Sequence, residues 1–152
     1  MKQLMQSERT TKALRGGLVS MFVMLTVQFI VGMYLNFYVE VPEAHPGATG
    51  SYAPSIPWAL AGHSGVALAI HVAIWILLTL GAIVLVVRGI MSKRKAYIWG
   101  NSLGLLFILM AGSGGLTFLN RGGKDSESFM MAVSFILAFI AYGVTFYKTK
   151  DR

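Results

Sequence analysis

The chain has 152 residues, 55% of them hydrophobic and only 12% charged, with a formal net charge of +7. A soluble domain of this size carries about 25% charged residues, so too little polar surface remains to cover a water-facing globule. There is no cysteine, which excludes thiolate zinc sites, iron–sulfur clusters, Cys-x-x-Cys redox chemistry and c-type haem attachment.

Residues 1–15 are polar and basic, with Lys2, Arg9, Lys12 and Arg15 against the single acid Glu8. The apolar run from Leu18 to Val39 exceeds the ~7–15 residues of a signal-peptide core, and no small-x-small cleavage site follows it cleanly. It therefore reads as a first membrane span, residues 17–39, long enough for the ~20 apolar residues that a hydrocarbon core requires. Residues 40–57 hold all four prolines, with Gly47 and Gly50 between them. Proline disfavours helix in the residue before it, so this stretch is expected to be a stiff outer loop. Ser55 or Ile56 can cap the following helix, with Pro57 in its first position.

A second span is expected over residues 58–87, a third over 97–119 and a fourth over 128–146, with Asp125 or Ser126 as its cap. Gly100, Gly104, Ala111 and Gly115 make a stripe on the third span that lets another helix approach closely. Lys and Arg at positions 2, 9, 12, 15, 88, 93, 94, 95, 148, 150 and 152 lie on one side of these spans; only Arg121 and Lys124 lie on the other. The basic residues gather at the ends of apolar runs and form no face interleaved with aromatics, so they read as an orientation signal and not as a nucleic-acid footprint. The expected fold is all-α: a single integral-membrane, antiparallel four-helix bundle in the bacterial cytoplasmic membrane, with both termini cytoplasmic.

Ionisable groups inside a span are costly, so each is a functional candidate. Two of the three histidines, His63 and His71, fall in the second span. On that helix they stand ~80° apart around it and ~12 Å apart along it, and cannot grip one ion together. Counted from the outer ends, His71 shares a level with Gln28, and His63 shares a shallower one with Asn36. A neutral buried imidazole is the usual axial ligand for b-type haem in a helical bundle. On that reading His71 is the ligand, Gln28 fixes its tautomer, and Gly112 and Gly115 let a macrocycle lie close to a backbone. Trp75 would flank the ring, and His63 would be a second ligand or a propionate partner. A different class of role is also open: a non-catalytic accessory subunit in which His71 merely bonds Gln28 and holds two helices in register. A third is copper or zinc bound on the outer face by Glu40, Glu43, His45 and His63.

The run from Gln28 through Gly32 to Asn36, leading to Pro42 and followed by His63 and His71, resembles small four-span bacterial membrane proteins. More loosely, the layout resembles one four-helix half of haem A synthase. A span histidine followed by an aliphatic run is similar to the membrane cytochromes b. These resemblances imply haem b as cofactor and electron-transfer or oxidation chemistry, with a membrane redox partner or a second copy of the chain. The departure from those families is that spans one, three and four contain no histidine.

Overall fold

The computed structural model describes residues 2–40, 54–120 and 125–149, the first eight of them by backbone alone. Five helices lie in that range: α1 (Lys2–Tyr38), α2 (Ser55–Leu60), α3 (Val66–Met91), α4 (Lys95–Asn120) and α5 (Asp125–Lys148). Four of them are long and apolar enough to cross a membrane. Their outward faces carry large apolar side chains such as Ile30, Leu77, Leu106 and Ile136. Such helices suit lipid as the solvent, as in a multi-pass membrane protein. Exposed Tyr34 and Tyr38 at one end and Trp99 and Tyr147 at the other occupy places where amphipathic rings meet a membrane–water interface.

The polar residues 2–15 are helical and continuous with the first span. The second span differs more. It is broken at Gly62-His63-Ser64-Gly65, where Gly62 (φ 77°) and Gly65 (φ 98°) take the left-handed backbone that glycine tolerates. α2 is thus a separate short helix ahead of α3. Its N-cap is Pro54, while Ser55 is already helical and donates from Oγ to Asn120 Oδ1 at 2.5 Å. His63 and His71 therefore do not share a rod. The helical spacing expected for them fails because the chain turns between them.

α1 packs on α3, α3 on α4, α4 on α5 and α5 on α1, so the four long helices close into a ring. Along α1 and α3 the facing residues are Gly17 with Leu85, Gly81 with Met21 and Gly32 with His71. Along α3 and α4, Asn101 Nδ2 donates to Leu85 O at 3.0 Å and Trp75 Nε1 donates to Ile108 O at 3.3 Å. The glycine stripe on α4 meets α5: Gly100 faces Thr145, Gly104 faces the Tyr142 ring and Gly115 faces Met131. The fourth seam, α1 with α5, is built from rings, with Phe22 against Phe139 at 4.9 Å and Phe29 stacked on Phe135 at 5.1 Å. Leu14, Leu18, Leu85, Tyr97 and Tyr142 fill the core toward one end. At the other end α2 packs on α3 and α4, where Ala59, Leu68, Val72 and Leu119 form a second apolar cluster with Leu35 and Ile56 against it.

Candidate functional site

A serine or threonine inside an apolar helix can return its hydroxyl to the carbonyl one turn back. Ser20 does so to Gly16, Thr26 to Phe22, Thr79 to Trp75 and Thr117 to Ser113. Ser113 bonds Met110 O on its own helix and is exposed. These groups are satisfied locally, which leaves them with little to offer a ligand.

Gln28 and His71 have no such local partner, and they find each other across α1 and α3. Gln28 Nε2 and His71 Nε2 are 3.1 Å apart. The contact accounts for one polar atom on each side chain. Gln28 Oε1 and His71 Nδ1 are both buried and have no hydrogen-bond partner. As placed, the amide N–H donates to the Nε2 lone pair, so the imidazole proton sits on Nδ1. With the amide turned over, Nε2–H donates to Oε1 and Nδ1 is the free acceptor. In either arrangement one donor and one acceptor remain over.

Both residues line a cavity of about 490 Å³, within the usual range of about 300–1,000 Å³ for small-molecule sites. α1 contributes Gln28, Gly32 and Asn36; α3 contributes Leu68, His71 and Trp75; α4 contributes Phe107, Gly112 and Gly115; and α5 contributes Ser128, Ala132 and Phe135. No Asp, Glu, Lys or Arg is among the described lining residues. Gln28 and His71, bonded to each other, lie deep in the bundle, and Asn36 on α1 and Ser128 on α5 add polar groups to the lining.

Three glycines shape the walls. A Cβ on Gly32 would lie 3.0 Å from His71 Cε1 and 3.6 Å from Nδ1, so glycine leaves that edge of the imidazole bare of side chain. Gly112 is already filled, because a Cβ there would overlap the Trp75 indole. The close approach expected of a macrocycle at Gly112 is thus made by this chain's own tryptophan. Gly115 faces Met131 across the cavity wall.

The other expected ligands are not brought to this place. His63 is exposed in the break after α2, its ring 6.3 Å from Trp58 and nearly parallel to it. Asn36 is exposed and lines the cavity, away from any pairing with His63. His45 and Glu43 lie outside the described residues, and Glu40 is exposed. Among the described residues no three His, Asp or Glu side chains gather closely enough to hold a metal ion. Sequence reasoning missed the turn at Gly62–Gly65, the Ser55–Asn120 bond and the seating of Trp75 on Gly112. The paired glycines were the one available signal. No family model, curated protein or solved structure matches the chain.

Proposed function

We propose that this is a multi-pass protein of the bacterial cytoplasmic membrane, with an antiparallel bundle and both termini inside, that binds a lipid-soluble small molecule at the Gln28–His71 pair. The basic residues at the α3–α4 turn and near both ends of the chain support that orientation. Contacts whose numbers rise on one helix as they fall on the next support the alternation of direction. The binding reading is carried by one observation: two buried, unpartnered polar atoms belong to residues that line an otherwise apolar cavity. A buried polar atom left unpaired costs about 1–3 kcal/mol, and a bound molecule with a matching group removes that cost.

A b-type haem for electron transfer or haem handling is the narrower form of this proposal. The cavity volume and the neutral imidazole in its wall favour it. Against it, Nε2 of His71 faces Gln28 and the Gly112 surface is covered by Trp75. His71 would hold the iron only after Gln28 moved aside, and haem, when bound, would supply one-electron chemistry. Protein purified in mild detergent decides between these readings. Haem gives a Soret band that disappears in His71→Ala. A colourless protein that stays colourless with added haem rejects haem, while a lipophile released by organic extraction from wild type but not from His71→Ala supports the broader proposal. A protein that retains and binds no lipophile is left with the accessory-subunit role.

A further inference from the structure

We infer that the occupant is a neutral ring compound of the quinone–quinol class, which reaches the cavity sideways from the bilayer between α1 and α5. The inference rests on the reading of the cavity as a binding site and adds the chemistry of the ligand and its route.

The route follows from the α1–α5 seam. Arg15 lies over Phe146 at 4.6 Å, and Phe22 and Phe29 pack on α5 rings, so the seam is closed over that length. Beyond the Phe29–Phe135 stack, Met33 and Asn36 of α1 and Phe129 and Ala132 of α5 line the cavity while remaining exposed. Their exposed faces meet lipid. Among the described residues, Trp75 fills the α3–α4 wall at Gly112, and α2 packs over the α3–α4 side of the end.

The chemistry follows from what the deep end offers. With no charged side chain among the described lining residues, an ionic head group has no counter-charge from them. A lipid tail would leave Gln28 Oε1 and His71 Nδ1 unpaired. One donor and one acceptor match a hydroxyl, which can use both once the side chains turn these buried atoms toward the cavity; a carbonyl uses the donor alone. Because the amide can turn over and the imidazole proton can sit on either nitrogen, the same pair accommodates the carbonyl of a quinone or the hydroxyl of a quinol. Flat aromatic walls at Trp75 and Phe107, with the bare backbone at Gly32, suit a planar ring. The volume holds such a ring with the start of a chain that continues out through the seam.

The test uses the full chain carrying Trp58→Phe and Trp99→Phe, so that Trp75 is the only tryptophan, in detergent micelles with helicity checked by circular dichroism. A decyl-substituted 1,4-benzoquinone should quench Trp75 saturably. Either residue alone can still donate to the carbonyl, so the double variant Gln28→Leu/His71→Leu, which leaves no donor, should weaken its Kd about tenfold, as expected for one lost hydrogen bond in a dry site. Ala132→Phe, which touches neither polar residue, should slow association by narrowing the mouth. Decylbenzene, which has the ring and chain but no oxygen, should bind at least tenfold more weakly. If decylbenzene competes as well as the quinone and the double leucine variant changes nothing, the quinone assignment falls and the cavity is a plain lipophile site. If the quinone binds with the expected specificity but Ala132→Phe leaves its rate unchanged, the lateral route falls. If neither compound binds and wild-type protein retains no lipophile, the binding reading itself falls.

Discussion

A site retained for a ligand should weaken the empty protein, and the Gln28–His71 pair allows that cost to be measured. In the wild type there is one interhelical hydrogen bond and two buried atoms without partners. Such bonds in membrane bundles average ~0.6 kcal/mol. Each orphan atom costs about 1 kcal/mol at the low end of the usual range, appropriate here because the unfolded chain in a membrane also finds partners. Gln28→Leu removes the bond and one orphan but leaves both imidazole nitrogens unpaired. His71→Leu likewise leaves both ends of the amide unpaired. Each single variant should therefore lose about 0.5–1 kcal/mol. The double variant has no orphan atoms and should be about 1–2 kcal/mol more stable than wild type. The four proteins form a double-mutant cycle with a coupling of about 2–3 kcal/mol. Reversible unfolding in mixed micelles of mild detergent and dodecyl sulfate, followed by far-ultraviolet circular dichroism, gives the numbers on delipidated protein. A double variant less stable than either single one would falsify the argument, because the pair would then be a stabilising clasp and the orphan atoms would be costless.

Other expectations concern packing, topology and the second histidine. Gly112→Ala places a methyl group against the Trp75 indole and should cost about 1–3 kcal/mol by overpacking, with a shift in Trp75 emission. The exposed Gly16 has open space around it, so Gly16→Ala should instead stabilise α1 by about 0.5–1 kcal/mol. The absence of native cysteine makes topology accessible: Asp125→Cys should react with a membrane-impermeant maleimide on intact cells, and Lys95→Cys only after permeabilisation. The reverse labelling pattern would overturn the proposed orientation. His63→Ala should leave stability, bound lipophile and any Soret band unchanged, since His63 stands outside the cavity; loss of a bound chromophore in that variant would restore it as a ligand.

The spans were legible because length and apolarity alone decide them. The Gln28–His71 bond was legible for a similar reason, as few other polar side chains in the spans could reach across the bundle. The depth count that brought them together began at Trp58, however, whereas α3 begins at Val66, only five residues before His71. The top of α1 runs on beyond the start of α3, and Leu35 there packs beside α2. What hid the turn is that an apolar helix in lipid has no polar face: periodicity goes silent where every residue is apolar. Only Gly62 and Gly65 marked the break. The seating of Trp75 on Gly112 is hidden for a different reason, since it pairs one residue of α3 with one of α4 and leaves no pattern in either helix.

The break changes what the two histidines mean for each other. With a continuous second span, the bundle would open toward the aqueous phase above His71, and His63 would stand over a water-accessible site. With the turn in place, α2 packs on α3 and α4, bonds Asn120 through Ser55, and packs Ala59 against Leu119 and Val72. Ile56 of the same helix lines the cavity. Among the described residues, α2 thus covers part of that end of the site, and the exposed His63 is not in the lining. Cover from α2, with packed side chains toward α3 and α4, favours the lipid-facing seam as the opening. A molecule that uses that opening must be soluble in lipid, and one that stays must satisfy Gln28 and His71. Those two requirements, access from lipid and a polar group at the buried end, separate a ring compound with oxygens from both an acyl chain and an aqueous metal ion.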